Sequence, residues 1–62
     1  MFTFQELVEA KKSIESILHK CQKSILKLKE HSAQHTLMVR RIQAFEIALR
    51  LIEQDITEAN LN

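Results

Sequence analysis

Apolar residues recur along this chain in alternating steps of three and four, the spacing that places side chains on one face of an α-helix. They form two heptad sets. We use the term seam for the surface that the two sets form together. In the first set only Lys11 is not apolar. The 62 residues include no glycine and no proline, and good helix formers are abundant. The pattern predicts an all-α protein. The two sets are Phe4, Leu7, Lys11, Ile14, Leu18, Cys21, Ile25 and Leu28, followed by Met38, Ile42, Phe45, Leu49, Ile52, Ile56 and Ala59.

The two heptad sets are out of phase with each other. Continuing the first set through the segment KEHSAQHT would require seam residues at Ser32, His35 and Glu46. One unbroken helix is therefore disfavoured, and we predict an antiparallel hairpin with helices at about 4–30 and 33–59. A reversal near Ala33 places every layer of the first set against a layer of the second.

The starts of both helices carry capping signals. Thr3 followed by Glu6 matches a capping box, in which each residue's side chain accepts a hydrogen bond from the other's backbone. Phe2 and Leu7 flank this box at the positions of a hydrophobic staple. Ser32 is the expected N-cap of the second helix.

The length of the chain limits it to one domain, residues 1–62. A protein of this size buries only about 60% of its unfolded surface, so its own core is marginal. The single cysteine, Cys21, excludes an intrachain disulfide and favours a reducing compartment. The sequence lacks a secretory signal and a membrane span, and we expect a cytoplasmic protein. Oligomerisation is the remaining common source of stability for small scaffolds.

The second helix carries more apolar residues than the seam needs. They form a second ridge, roughly 100° around the helix from the first. A two-fold dimer would cover this ridge, because helix 2 of one copy would pack on helix 2 of the other and the two hairpins would form a four-helix bundle. An antiparallel crossing near Ala48 sets Arg41 near Asp55 of the copy. Ordinary surface exposure and a helix from a different protein are the alternatives. The predicted dimer interface consists of Leu37, Arg41, Ala44, Ile47, Ala48, Leu51 and Asp55.

Charge is unevenly distributed along the chain. Residues 19–41 carry six cationic side chains and one acid, a sum of +5, whereas the rest of the chain sums to −4. The cations gather toward the predicted hairpin tip and suggest nucleic-acid or polyanion binding as an alternative function. No aromatic residue interleaves with them, which argues against binding of single-stranded nucleic acid, since that binding uses aromatic side chains for base stacking. This basic tip consists of Lys20, Lys23, Lys27, Lys29, Arg40 and Arg41.

Few residues suggest chemistry. His31 and His35 have the spacing of a helical zinc pair, but Cys21 lies about 15 Å along a helix from His31, so we predict no metal site. Cys21 is expected to pack in the seam. Lys11 either marks a seam end open to water or specifies the register of packing. No glycine-rich loop or paired carboxylates indicate an enzyme, and no cofactor or small-molecule substrate is expected.

The predicted function is therefore a small non-catalytic interaction or regulatory module of the bacterial or phage type. It acts as a homodimeric helical bundle, or alternatively packs helix 2 on another helical protein. Association with a membrane is not expected, because helix 2 mixes cationic and anionic side chains on its polar surface.

Overall fold

The computed structural model describes residues 1–61, and within this range the chain forms two α-helices. Helix α1 spans Phe4–Ile25 and helix α2 spans Ala33–Leu61. They pack against each other as a hairpin measuring 47 × 14 × 14 Å. The prediction of an all-α hairpin is confirmed.

The start of α1 is fixed by the predicted capping box. The Glu6 N–H donates to Thr3 Oγ1 at 3.1 Å, and the Thr3 N–H donates to Glu6 Oε1 at 2.9 Å. The Leu7 N–H donates to the Thr3 carbonyl at 3.0 Å and closes the first helical turn. The bonds from Thr3 hold the pKa of the Glu6 carboxyl below its ordinary value, because they stabilise the charged form.

The end of α1 differs from the prediction. The helix ends at Ile25, and the predicted end at residue 30 is wrong. The Lys27 N–H donates to the Ser24 carbonyl at 3.0 Å and the Leu28 N–H to the Ile25 carbonyl at 3.1 Å. Such bonds between residues three apart tighten the chain beyond the last α-helical turn. Residues 26–32 form the connection that turns the chain from α1 into α2.

The turn into α2 depends on two neighbouring residues. His31 adopts the left-handed conformation, with φ 66°, at a position where glycine would be the default residue. Ser32 then caps α2 as predicted: its Oγ accepts from the His35 N–H at 3.1 Å, and its carbonyl accepts from the Thr36 N–H at 3.0 Å. Helix α2 continues to Leu61, beyond the predicted end at 59.

The seam lies where the heptad pattern places it. Leu7 is the one buried apolar side chain among residues 1–60, with 7% of its surface exposed. Phe4 and Ala59, at the ends of the two sets, are exposed and are corrections to the predicted seam. The half-buried members are Lys11, Ile14, Leu18, Cys21, Ile25 and Leu28 on one side, and Met38, Ile42, Phe45, Leu49, Ile52 and Ile56 on the other.

The helix register is visible at the open end of the hairpin. Leu7 of α1 and Ala59 of α2 line one cavity of about 330 Å³, together with Met1, Asp55 and Glu58. Phe2 lines the same cavity, as its predicted contact with Leu7 would require. Leu7 of α1 therefore lies at the height of the last turns of α2, between Asp55 and Ala59.

Candidate interaction surface

The second apolar ridge of α2 lies outside the seam and is exposed. Leu37 has 49% of its surface exposed, Ile47 has 62% and Leu51 has 58%. Ala44 is exposed as well. Isolated apolar residues on a surface are ordinary, but these recur on one side of one helix. The ridge is the most extensive apolar surface that α2 leaves without an intramolecular partner.

The other three residues of the predicted interface frame this ridge. Ala48 is half-buried, because it lies beside the seam between Phe45 and Leu49. Arg41 and Asp55 are exposed and stand seven residues to either side of Ala48. The predicted residues therefore form a strip with two small side chains, Ala44 and Ala48, near its middle, a cation toward one end and an anion toward the other.

An open depression of about 550 Å³ lies on the surface of α2 outside the seam. Ile47 and Leu51 supply its apolar surface, while Glu46 and Arg50 are charged and Gln43 and Gln54 are polar. All lining residues come from the same helix, so no second wall encloses a ligand. Small-molecule sites bury most of the ligand surface, and this depression is more open than such sites.

The basic tip is exposed throughout. All six predicted cations are exposed, on the last turns of α1, in the connection and on the first turns of α2. Lys23 lies in the last turn of α1, where a cation also offsets the negative end of the helix dipole. Stabilisation of α1 is therefore one reason for a cation at this position of the basic tip.

The residues considered for chemistry are not brought together. His31 lies in the turn and is exposed, whereas His35 is half-buried on α2. Cys21 is half-buried in the seam, as its expected packing role requires. Across residues 1–61, no three His, Cys, Asp or Glu side chains are grouped so that they could hold a metal ion.

Sequence reasoning missed one candidate on the other helix. Ile17 on α1 has 44% of its surface exposed and was not assigned to any surface. The available signal was its position directly before the seam residue Leu18, which places it beside the seam. The side of the hairpin on which it lies becomes known only with the antiparallel register.

Neither helix in the described range combines the length and apolar character needed to cross a membrane. Comparisons with protein-family models, curated protein sequences and solved structures found no match to this chain.

Proposed function

We propose that this chain is a non-catalytic interaction module that acts as a homodimer, with α2 packed antiparallel on α2 of a second copy. The observation that carries this proposal is the exposed apolar ridge of α2, which includes Leu37, Ile47 and Leu51. Covering this ridge removes apolar surface from water, which is the dominant favourable term in protein association.

The amount of exposed surface supports a missing neighbour. A compact folded protein of this mass, 7.3 kDa, exposes about 4,200 Å². The isolated hairpin exposes 5277 Å². The excess is about 1,100 Å², whereas a standard interface buries about 800 Å² on each partner. One protein partner along the length of α2 is therefore enough to bring the hairpin to an ordinary degree of burial.

The charges on α2 favour an antiparallel crossing with α2 of the second copy. Arg41 and Asp55 are equally far from Ala48 along α2, so an antiparallel crossing at Ala48 places each Arg41 by Asp55 of the second copy. A parallel crossing would instead place like charges together. The antiparallel arrangement also lays each basic tip beside the acidic open end of the other hairpin, where Asp55 and Glu58 lie.

Side-chain size favours close approach at this crossing. Ala44 and Ala48 are small, so two α2 helices can approach closely along this line. Ile47 and Leu51 then lie at the edges of the contact and supply apolar area. Both remain largely exposed in the single hairpin and can be buried in the dimer.

Sedimentation equilibrium of the full chain over a wide concentration range tests the proposal. The expected result is twice the 7.3 kDa chain mass at micromolar concentration. Ala44→Glu should shift the mass toward the monomer, because it places a charge within the ridge. Gln43→Glu makes a similar change at the adjacent exposed position and should keep the dimer. A folded monomer at all concentrations would overturn the homodimer.

Ala44 is a better test site than Ala48. Ala48 is half-buried beside the seam, so Ala48→Glu is expected to dissociate the dimer and also to disturb the packing of α1 on α2. Circular dichroism of each variant separates the two effects. Retained helix content with a lowered mass indicates loss of the dimer alone.

The basic tip supports a second candidate function, binding of a polyanion. Its six cations are all exposed near one end of the hairpin. An electrophoretic shift with random-sequence duplex DNA should then weaken steeply with salt, because bound phosphates release counterions. Lys27→Gln should weaken the shift more than Lys12→Gln, because Lys12 is an exposed cation far from the tip. No shift at low salt would exclude duplex binding.

A further inference from the structure

We propose that the dimer interface extends from α2 onto α1, so that the two hairpins pack face to face with Ile17 at the centre of the contact. This inference rests on the proposed homodimer. Its starting observation is that Ile17 is an exposed apolar side chain in the middle of α1, with no packing role in the seam.

The heptad positions identify the side of the hairpin on which Ile17 lies. On α1, three residues lie directly before the seam residues Lys11, Leu18 and Ile25. On α2, three residues lie directly before the seam residues Ile42, Leu49 and Ile56. In an antiparallel helix pair, these two groups of residues lie on the same side of the hairpin. We call this side the Ile17 face, and its six residues are Ala10, Ile17, Ser24, Arg41, Ala48 and Asp55.

Ile17 also lies near the proposed crossing in height along the hairpin. Leu7 and Ala59 line the same cavity at the open end. Leu18 lies eleven residues after Leu7, and Ala48 lies eleven residues before Ala59. Both helices rise by about 1.5 Å per residue, so Leu18 is level with α2 residues between about 44 and 48. Ile17 therefore lies within about one helical turn of the height at which the two α2 helices are proposed to cross.

The two sides of the hairpin differ in charge. On the opposite side, the six residues directly after the seam positions include three exposed carboxylates, and the full set is Val8, Glu15, Gln22, Val39, Glu46 and Glu53. Two copies meeting through that side would bring six carboxylates together. The Ile17 face instead carries one cation, one anion and apolar or small residues, so self-association on this side is favoured.

The side and the height of Ile17 together determine how the two hairpins pack. A two-fold axis that makes α2 cross α2 of the second copy antiparallel, with the Ile17 faces meeting, also places α1 over α1 of that copy. The α1 helices then cross at the height of Leu18. Ile17 of one hairpin and Ile17 of the other come close to the axis, and the exposed side chain becomes part of a core shared by four helices.

The charge variant Ile17→Glu tests this arrangement by sedimentation equilibrium. We expect the dimerisation constant to fall at least tenfold with helix content retained. Gln22→Glu is the control, since Gln22 is exposed on the same helix toward the acidic side. An unchanged constant for Ile17→Glu, in a chain that Ala44→Glu dissociates, overturns this inference and leaves the proposed homodimer in place. A monomeric parent chain overturns both.

A cross-linking experiment tests the same contact without adding charge. In a Cys21→Ser background, Ile17→Cys places two thiols near the two-fold axis, where a disulfide between copies requires Cα atoms about 4.4–6.8 Å apart. Mild oxidation should give a covalent dimer faster from Ile17→Cys than from the matched variant Gln22→Cys. Equal rates for the two variants would overturn the central position of Ile17.

Discussion

Ser32 Oγ accepts a hydrogen bond of 3.1 Å from the backbone N–H of His35, and this bond fixes where α2 begins. Removing the acceptor with Ser32→Ala should lower the free energy of unfolding by about 1 kcal/mol, since an N-cap side chain contributes that amount. Ser32→Asp should retain most of the stability, because a carboxylate caps equally well and favours the helix N-terminus. Urea denaturation at one fixed protein concentration measures both changes.

The control for this cap is Ser16→Ala, the same substitution at an exposed position inside α1. Alanine has the higher helix propensity there, so Ser16→Ala should leave stability unchanged or slightly raised. Equal losses for Ser16→Ala and Ser32→Ala would contradict the capping role of Ser32.

His31 is expected to be a site where glycine stabilises the hairpin. Its φ of 66° is unfavourable for a residue with a Cβ atom, by about 1–2 kcal/mol. Glycine relieves this strain but loses more conformational freedom on folding, by about 0.5–1 kcal/mol. His31→Gly should therefore raise the free energy of unfolding by about 0.5–1 kcal/mol in urea.

Gln34→Gly provides the matched comparison, because Gln34 is exposed and lies within α2. The same new residue should destabilise the chain there by about 1 kcal/mol, since glycine is a poor helix former. Destabilisation by His31→Gly would show that the left-handed turn does not limit stability.

Acid should weaken the start of α1. The backbone and side-chain hydrogen bonds from Thr3 hold the pKa of Glu6 below its ordinary value of 4.5 in the folded chain. A folded pKa lowered in this way contributes stability that is fully present above pH 4.5 and is lost as the pH falls through the lower folded value. Unfolding measured between pH 7 and pH 3 should show this decline.

The variant Glu6→Gln should flatten that pH dependence, because an amide does not titrate. Glu9→Gln makes the same chemical change one turn further along α1 and should flatten it less. A larger effect at Glu9 would contradict the contribution of the capping box.

Lys11 is the cationic member of the seam and is half-buried. Lys11→Leu should raise the free energy of unfolding by about 1 kcal/mol, because it buries more apolar area in the layer near Ile56. Lys12→Leu, at the adjacent exposed position, should change stability little.

Amide NMR spectra of Lys11→Leu separate its two interpretations. One set of resonances is expected for a seam end that is merely open to water. Several sets would show that Lys11 specifies the packing register, as polar residues do at some coiled-coil positions.

The sequence predicted the parts of the fold that local chemistry determines. The caps at Thr3 and Ser32 were predictable because one side chain and one backbone N–H, three residues apart, define each of them. The seam was predictable from heptad spacing. The end of α1 at Ile25 was not, because residues 26–30 are good helix formers and leave the helix only to return the chain, through His31, to α2.

The candidate surface divides in the same way. The ridge of α2 was predictable because its members share one helix and one periodicity. The position of Ile17 relative to Ala48 required the register between the two helices as well, because it depends on which of their residues lie at the same height.

The scarcity of fully buried side chains, with Leu7 as the buried apolar residue of the described range, has a calorimetric consequence. The heat-capacity increment of unfolding grows with the apolar area newly hydrated, and averages about 12–15 cal/mol/K per residue. A solitary hairpin, already well hydrated when folded, has a smaller increment and melts over a broad temperature range. A pair of hairpins melts more sharply and at a temperature that rises with concentration. The width of the melting curve, together with its dependence on concentration, thus reports whether one chain or two form the cooperative unit.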